Sequence, residues 1–144
     1  MLESLWPEFG VPVEQPTIAL LSEQASVLSR QTRGRVTADV SIRPGPGPAS
    51  QGLYMDFELV VPSLDGYRYG IFSIWQSVEG GYPVYVVAAP WEIKAAEHLG
   101  NFGQFYERLD SEEALRDFMR RAFNHERIRR IMENLLASSR ALAS

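Results

Sequence analysis

The 144-residue chain contains no cysteine. This absence excludes disulfide bonds, thiolate nucleophiles and metal sites with sulfur ligands. No apolar run approaches the ~18 residues that a membrane-spanning helix needs. The first ten residues carry acids at Glu3 and Glu8 and no basic region before an apolar core, so they do not resemble a secretion signal. We therefore expect a cytoplasmic protein that does not enter a membrane.

Histidine and lysine are scarce: the chain has only His98, His125 and Lys94. Neither histidine lies in a metal-ligand spacing such as HExxH, and no serine lies in a GxSxG motif. We expect each histidine to have a surface or capping role. Asp56 and Glu58 share one strand face and could act together in hydrolysis, but such a pair more often only solvates an open sheet face. The sequence therefore predicts no enzyme, catalytic residue, cofactor or metal.

The formal net charge of −4 conceals an asymmetry along the chain. Residues 1–110 contain seven basic and thirteen acidic side chains, whereas residues 111–144 contain seven arginines and five acids. The acidic body disfavours general nucleic-acid binding. The dense basic run is a candidate patch for an anionic partner, and its alternative is a solvated helix face with ion pairs. This patch comprises Arg120, Arg121, Arg127, Arg129 and Arg130.

An antiparallel β-meander is predicted from residue 53 to residue 89, where three apolar runs are separated by the turn signals SLDG and EGG. Leu53, Met55, Phe57, Leu59 and Val61 alternate with other residues in the two-residue period of a strand that has one buried face. A further alternating strand is expected from Val36 to Ile42. Residues 90–109 either add a short helix that starts near Trp91 or prolong the last strand.

Helices are predicted on both sides of the meander. Pro16 opens a first helix that Gly34 ends. Asp110 and Glu113 form a capping box at the start of a second helix. Asn124 interrupts that helix and caps a third, whose apolar stripe extends to Leu142. We therefore expect one α+β domain over residues 1–144. It has a four-stranded, or five-stranded, antiparallel meander sheet with the N-terminal helix and two C-terminal helices packed on one face.

Two proline-rich stretches are expected to be irregular. Residues 1–15 form an extended arm with Trp6 and Phe9, which either packs on its own domain or exchanges onto a neighbouring subunit. Residues 44–52, PGPGPASQG, form a flexible hairpin loop. A phosphate cradle there is disfavoured because a strand, and not a helix, follows the glycines.

Exposed aromatic residues favour protein interfaces because they bury a large area at little entropic cost. Strict alternation places Tyr67, Tyr69 and Trp75 on one face of their strand. The alternative for these residues is a place in the core. The candidate partner-binding residues are Trp6, Tyr54, Tyr67, Tyr69, Trp75 and Tyr85.

The segments FELVVPSLDGYRYGIF, YPVYVV, SEEALRDFMRRAF and IRRIMENLL resemble a pattern in small uncharacterised bacterial proteins. The resemblance covers residues 16–140 and carries over no catalytic residue. In outline the chain is also similar to secretion chaperones and toxin-immunity proteins. We expect a non-enzymatic protein-binding module of a bacterial cytosol, with a homodimer as one form. The alternative is a small nucleic-acid-binding module that uses the arginine-rich C-terminal helices.

Overall fold

The computed structural model describes residues 3–10, 15–48, 50–89, 91 and 107–143. It contains three helices and five strands in these ranges, with a single 3₁₀ turn at Pro62–Leu64 between β2 and β3. The α+β prediction is confirmed, with five strands. In chain order the elements are α1 (Thr17–Gln31), β1 (Thr37–Pro46), β2 (Gln51–Val61), β3 (Tyr67–Ser77), β4 (Val84–Ala88), β5 (Glu107–Leu109), α2 (Glu112–Phe123) and α3 (Glu126–Ala143).

The five strands form one antiparallel sheet in the order β1-β2-β3-β4-β5. The turn into β3 places Asp65 at φ 59° and Gly66 at φ 71°, the positive values that the Asp-Gly pair predicts. Gly80 and Gly81 also have positive φ, in the connection between β3 and β4. Each strand pairs with the next one along the chain, so the predicted meander is confirmed.

The core lies between one face of the sheet and the three helices. The sheet contributes alternate residues of β2, and ring centroids 5.1 Å apart stack Phe57 of β2 on Phe72 of β3. Phe72 in turn contacts Phe118 of α2 edge-on at 5.2 Å. The main buried residues from the helices are Leu20, Leu21, Leu115, Phe118, Met119, Ala122, Ile128 and Leu135. All three helices therefore cover the same face of the sheet, as predicted.

The first helix ends in a Schellman motif. The N–H of Gly34 donates to the carbonyl of Ser29 at 2.8 Å, and the N–H of Arg33 donates to that of Arg30 at 3.3 Å. The residue directly after the cap residue Thr32 is Arg33, at φ 54°, and Gly34 follows at φ 77°. The helix therefore ends at Gln31, three residues before the glycine that predicted its end, and Arg33 takes the position expected of Gly34.

The caps of α2 and α3 correct two predictions. Ser111, and not Asp110, caps α2: its Oγ accepts from the N–H of Ala114 at 3.1 Å. Asp110 lies outside the helix and pairs with Arg108 at 2.6 Å, so the predicted capping box is wrong. His125, and not Asn124, caps α3, because its Nδ1 accepts from the N–H of Arg127 at 3.1 Å. The capping role expected of His125 is thereby confirmed.

Two further predicted features, the 44–52 loop and the apolar stripe of α3, are shorter than expected. The ladder between β1 and β2 continues to the pair Pro46 and Gln51, so the loop expected over 44–52 is only residues 47–50. Leu142, expected in the apolar stripe of α3, is 64% exposed because the helix runs past the core.

The alternatives for 90–109 fall mostly outside the described residues, and so does His98. Trp91 is described and buried, and its Nε1 donates to the carbonyl of Ile71 at 2.7 Å.

Candidate functional site

A β-bulge in β3 separates the predicted aromatic set. Phe57 of β2 pairs with Phe72, but the next residue, Glu58, pairs with Gly70, so Ile71 is an extra residue. The extra residue moves the side chains that follow to the opposite face. Tyr67 and Tyr69 therefore lie on the side of the helices, whereas Trp75 lies on the other side. The prediction that these three share one face is wrong.

The face of the sheet opposite the helices, here called the helix-free face, carries ion pairs. Arg43 contacts Asp56 at 2.7 Å, and Arg68 contacts Asp39 at 3.0 Å and Glu58 at 3.9 Å. The side chains of Arg43, Arg68 and Asp39 are about half exposed. Since these charged side chains already pair with one another, a partner that bound this face would have to displace existing ion pairs.

Asp56 is the most constrained of these carboxylates. Burial raises its pKa, but hydrogen bonds from Arg43 and Ser73 outweigh that effect and hold the pKa below its ordinary value. Asp56 is therefore ionised at neutral pH and unsuited to donate a proton. Asp56 and Glu58 also pair with different arginines, so they do not form an acid–base pair. Within the described ranges, no three His, Asp or Glu side chains are grouped so that they could hold a metal ion.

Trp75 has a structural role on the helix-free face. Its side chain is 2% exposed, and its Nε1 donates to the carbonyl of Gly45 at 3.2 Å. A Cβ built on Gly47 or Gly52 would lie within 2.6 Å of the indole. The neighbouring Tyr54 donates from its hydroxyl to the carbonyl of Pro46 at 2.7 Å. These two aromatic residues hold the end of the β1–β2 hairpin against the sheet, and Tyr85 lies 6.1 Å from Trp75.

A surface groove, here called the Tyr–Arg groove, lies on the other side of the sheet. It has a volume of about 600 Å³ and lies between α3 and the region where the 3₁₀ turn leads into β3. It brings together two predicted partner-binding residues, Tyr67 and Tyr69, and two residues of the predicted arginine patch, Arg127 and Arg130. The lining residues are Leu64, Tyr67, Tyr69, Arg127, Arg130, Ile131, Asn134 and Leu135.

Contacts at both ends of α3 position the wall of this groove. Near its C-terminus the buried Ser139 is joined to Ser63 of the 3₁₀ turn by a hydroxyl–hydroxyl hydrogen bond of 2.7 Å. At its N-terminus His125 caps the helix and contacts the ring of Trp91 at 5.0 Å between centroids. The two arginines and the two tyrosines are therefore presented from elements whose relative position is held by packing.

The remaining arginines of the predicted patch lie elsewhere. Arg120 pairs with Asp117 at 2.7 Å, and Arg121 pairs with Glu107 while its guanidinium lies 5.3 Å from the ring centre of Phe118. Arg129 lines a different cleft. The structure therefore divides the five arginines among four places and does not assemble them into one basic surface.

That different cleft lies between α1 and α3 and was not predicted. It has a volume of about 260 Å³, and Phe57, Leu59 and Ile71 line it from the sheet. Arg129 and Glu133 of α3 also line it. A gap between two helices depends on how they pack, so no sequence pattern indicates it.

Residues 3–10, here called the N-terminal arm, are exposed. Leu5, Trp6 and Phe9 are 90%, 78% and 74% exposed, and the rings of Trp6 and Phe9 lie 6.2 Å apart. The interpretation in which the arm packs on its own domain therefore does not hold for these residues. Residues 1–2 and 11–14 of the predicted arm lie outside the described part of the chain.

Comparison of the chain with protein-family models, with curated proteins and with solved structures found no match. The resemblance to small bacterial proteins stays a prediction. Among the helices of the described ranges, none combines the length and the apolar character needed to cross a membrane.

Proposed function

We propose that the protein is a non-enzymatic binding module that holds an acidic segment of another protein in the Tyr–Arg groove. The main support for this proposal is that two tyrosines and two arginines line the same groove beside apolar side chains. These residues are Tyr67, Tyr69, Arg127 and Arg130. The absence of cysteine agrees with a role in the reducing cytoplasm.

The chemistry of the groove favours a segment with both acidic and apolar side chains. Arginine guanidinium groups donate paired hydrogen bonds to carboxylates, and tyrosines combine an apolar ring with a polar end. Leu64, Ile131 and Leu135 supply apolar contacts for a side chain placed between them. The groove is open to solvent, which suits a stretch of polypeptide better than an enclosed small molecule.

The groove is a better candidate than the helix-free face. The charged residues on that face already pair with one another, and Trp75 is covered by the hairpin. In the groove, Tyr67 is 49% exposed, and the contact of Arg130 with Glu126 is a long one at 3.6 Å between exposed side chains. At Arg130, a carboxylate from a partner therefore competes against a weak intrahelical pair.

Selection from a displayed random-peptide library against the full chain tests the proposal. We expect the selected peptides to be enriched in Asp or Glu near an aromatic residue or leucine. The double variant Arg127→Glu/Arg130→Glu should weaken their binding by about tenfold or more, since a hydrogen bond between charged groups contributes ~1.5–3 kcal/mol. Tyr67→Ala should weaken binding less.

A matched control is Arg30→Glu/Arg140→Glu, which makes the same charge change at two exposed arginines outside the groove. We expect this control to bind the peptides almost as well as the unaltered chain. Selected peptides without acidic enrichment, or an equal loss in the control, would contradict the proposal. Circular dichroism should show that both variants remain folded.

A further inference from the structure

We infer that the N-terminal arm of a second copy of this chain occupies the Tyr–Arg groove, so that two copies form a homodimer by exchanging arms. The inference rests on the proposed function in that it uses the same groove. The composition of the arm and the place where it leaves the domain both favour the arm of a second copy as the occupant of the groove.

The arm has the composition that the groove favours. It contains the acids Glu3 and Glu8 and no arginine, lysine or histidine. Leu5, Trp6 and Phe9 lie within five positions of one another and are each at least 74% exposed. Three large apolar side chains so exposed on one short segment are typical of a surface that a partner covers. Glu3 and Glu8 complement the two arginines of the groove.

Proline also prepares the arm for docking. Pro7 lies between Trp6 and Glu8. Its ring fixes its backbone φ at about −65°, a value found in extended polyproline-like segments. The residue before a proline is likewise biased toward extended backbone. A segment that is already extended loses less conformational freedom when it binds along a groove.

The path of the chain favours the groove of a second copy over the groove of the same copy. Thr17, at the start of α1, accepts a hydrogen bond at 3.0 Å from Nε2 of Gln76, so the arm leaves the domain at the Gln76 end of β3. The groove lies at the Tyr67 end of the same strand, ~30 Å away along nine residues. Phe9 precedes Thr17 by eight residues, a reach of at most ~28 Å when fully extended.

Within one copy, Phe9 is therefore at the limit of its reach even for a straight chain, and only the residues before it, such as Trp6, can enter the groove. A second copy removes this restriction. Mutual exchange makes two identical contacts related by a two-fold axis, which closes the assembly as a dimer.

Sedimentation equilibrium of the full chain over a range of concentrations tests the inference. We expect a monomer–dimer equilibrium. Arg127→Glu/Arg130→Glu in the groove and Trp6→Ser/Phe9→Ser in the arm should each weaken dimerisation by at least about tenfold, since Trp and Arg dominate such contacts. The arm variant changes only exposed side chains, so its fold should be unaffected.

Charge reversal gives the sharper result. Glu3→Arg/Glu8→Arg alone should weaken the dimer, and the same change combined with Arg127→Glu/Arg130→Glu should restore at least part of the lost affinity. The control pair Arg30→Glu/Arg140→Glu should leave the equilibrium unchanged. A dimer insensitive to the arm variants, an open series of larger oligomers, or no recovery in the combined variant would overturn the inference.

Three other outcomes show whether this inference, the proposed function or both are wrong. A chain that stays monomeric at every concentration, yet binds the selected acidic peptides in the groove, overturns arm exchange and leaves the proposed function standing. A monomer in which Trp6 is protected from acrylamide quenching overturns it in favour of docking within one copy. A chain that neither dimerises nor binds those peptides overturns both.

Discussion

At the scale of residues, one aromatic side chain determines where glycine is required. The indole of Trp75 lies against the backbone at Gly45, Gly47 and Gly52. At Gly52 an added Cβ would lie 2.2 Å from the carbonyl oxygen of Gln76, and backbone in a paired ladder cannot move aside. The glycines that suggested a flexible loop therefore also permit close packing on a tryptophan.

We expect Gly52→Ala to lower the free energy of unfolding by about 2–3 kcal/mol, because overpacking forces the backbone to shift. Gly47→Ala should cost less, since residue 47 lies in the connecting loop and can move with it. Gly70→Ala is the control: a Cβ there meets nothing within 4 Å. Its effect should stay within about 0.5 kcal/mol in urea unfolding. Equal losses for Gly52→Ala and Gly70→Ala would contradict the packing described for Trp75.

Asp56 links stability to pH. Its pKa is lower in the folded chain than the value of ~3.9 expected when unfolded. Its stabilising contribution is therefore complete well above pH ~4 and is lost as the pH falls through the folded-state pKa.

Asp56→Asn should lower the free energy of unfolding at neutral pH by about 1 kcal/mol, a small value because Arg43 is largely exposed. It should also reduce the loss of stability below pH ~4. Urea unfolding at a series of pH values measures both effects. Asp39→Asn, on the same face and with a half-exposed side chain, should cost no more than about 0.5 kcal/mol. If the Asp56 variant keeps the full acid sensitivity, the ionised role of Asp56 is wrong.

At the scale of elements, α2 and α3 each have their N-cap one residue later than the sequence predicted. Asp110 and Ser111 are adjacent and both are good cap residues, so sequence alone does not distinguish them. The structure does: Asp110 directly follows β5 and pairs with Arg108, whereas the hydroxyl of Ser111 reaches the N–H of Ala114. The same displacement makes His125 the cap of α3.

Ser111→Ala should therefore lower the free energy of unfolding by about 1 kcal/mol, the usual value for a lost N-cap. Asp110→Ala removes only an exposed ion pair and should cost less than about 0.5 kcal/mol. Thermal unfolding followed by circular dichroism compares the two variants. A larger loss of stability in Asp110→Ala than in Ser111→Ala would show that Asp110 is the cap.

The sheet shows the same limit of local patterns. Alternation correctly predicts the strands β1 and β2, and from Met55 to Val61 buried residues alternate with half-buried ones. Ile42 and Leu53, near the hairpin end of the same strands, are exposed although the alternation placed them on the buried face. In β3 the neighbours Ile71 and Phe72 are both buried, and nothing in the pattern marks one of them as an inserted residue. The bulge decides which tyrosines face α3, and it arises from pairing with β2.

At the scale of the whole molecule, the arrangement of charge disfavours a nucleic-acid interface. The arginines of the predicted patch are divided among the groove, the inter-helix cleft and ion pairs with Asp117 and Glu107. Residues 1–110 carry an excess of acids, which repels phosphate.

We expect the full chain to show no measurable binding to single-stranded or duplex oligonucleotides at low ionic strength in a fluorescence anisotropy titration. Without a continuous basic surface, few counterions would be released from the nucleic acid. The opposite outcome is affinity that falls steeply with salt and is reduced by Arg120→Glu/Arg121→Glu. That result would favour the nucleic-acid-binding alternative over protein binding.

The sequence by itself determined the features that depend on near neighbours. The three helices, the meander and the Asp65–Gly66 turn follow from apolar periodicity and from the backbone preferences of glycine and proline, which act within a few residues. The arginine-rich helices were also evident, whereas the exposure of the N-terminal arm was not. Only the tertiary structure decided that Tyr67 and Arg127, sixty residues apart, line one groove while Trp75 lies beneath a hairpin. Which residues become neighbours in this way depends on how the helices pack on a bulged sheet. That packing depends on many contacts between residues far apart in the sequence, which no local pattern contains.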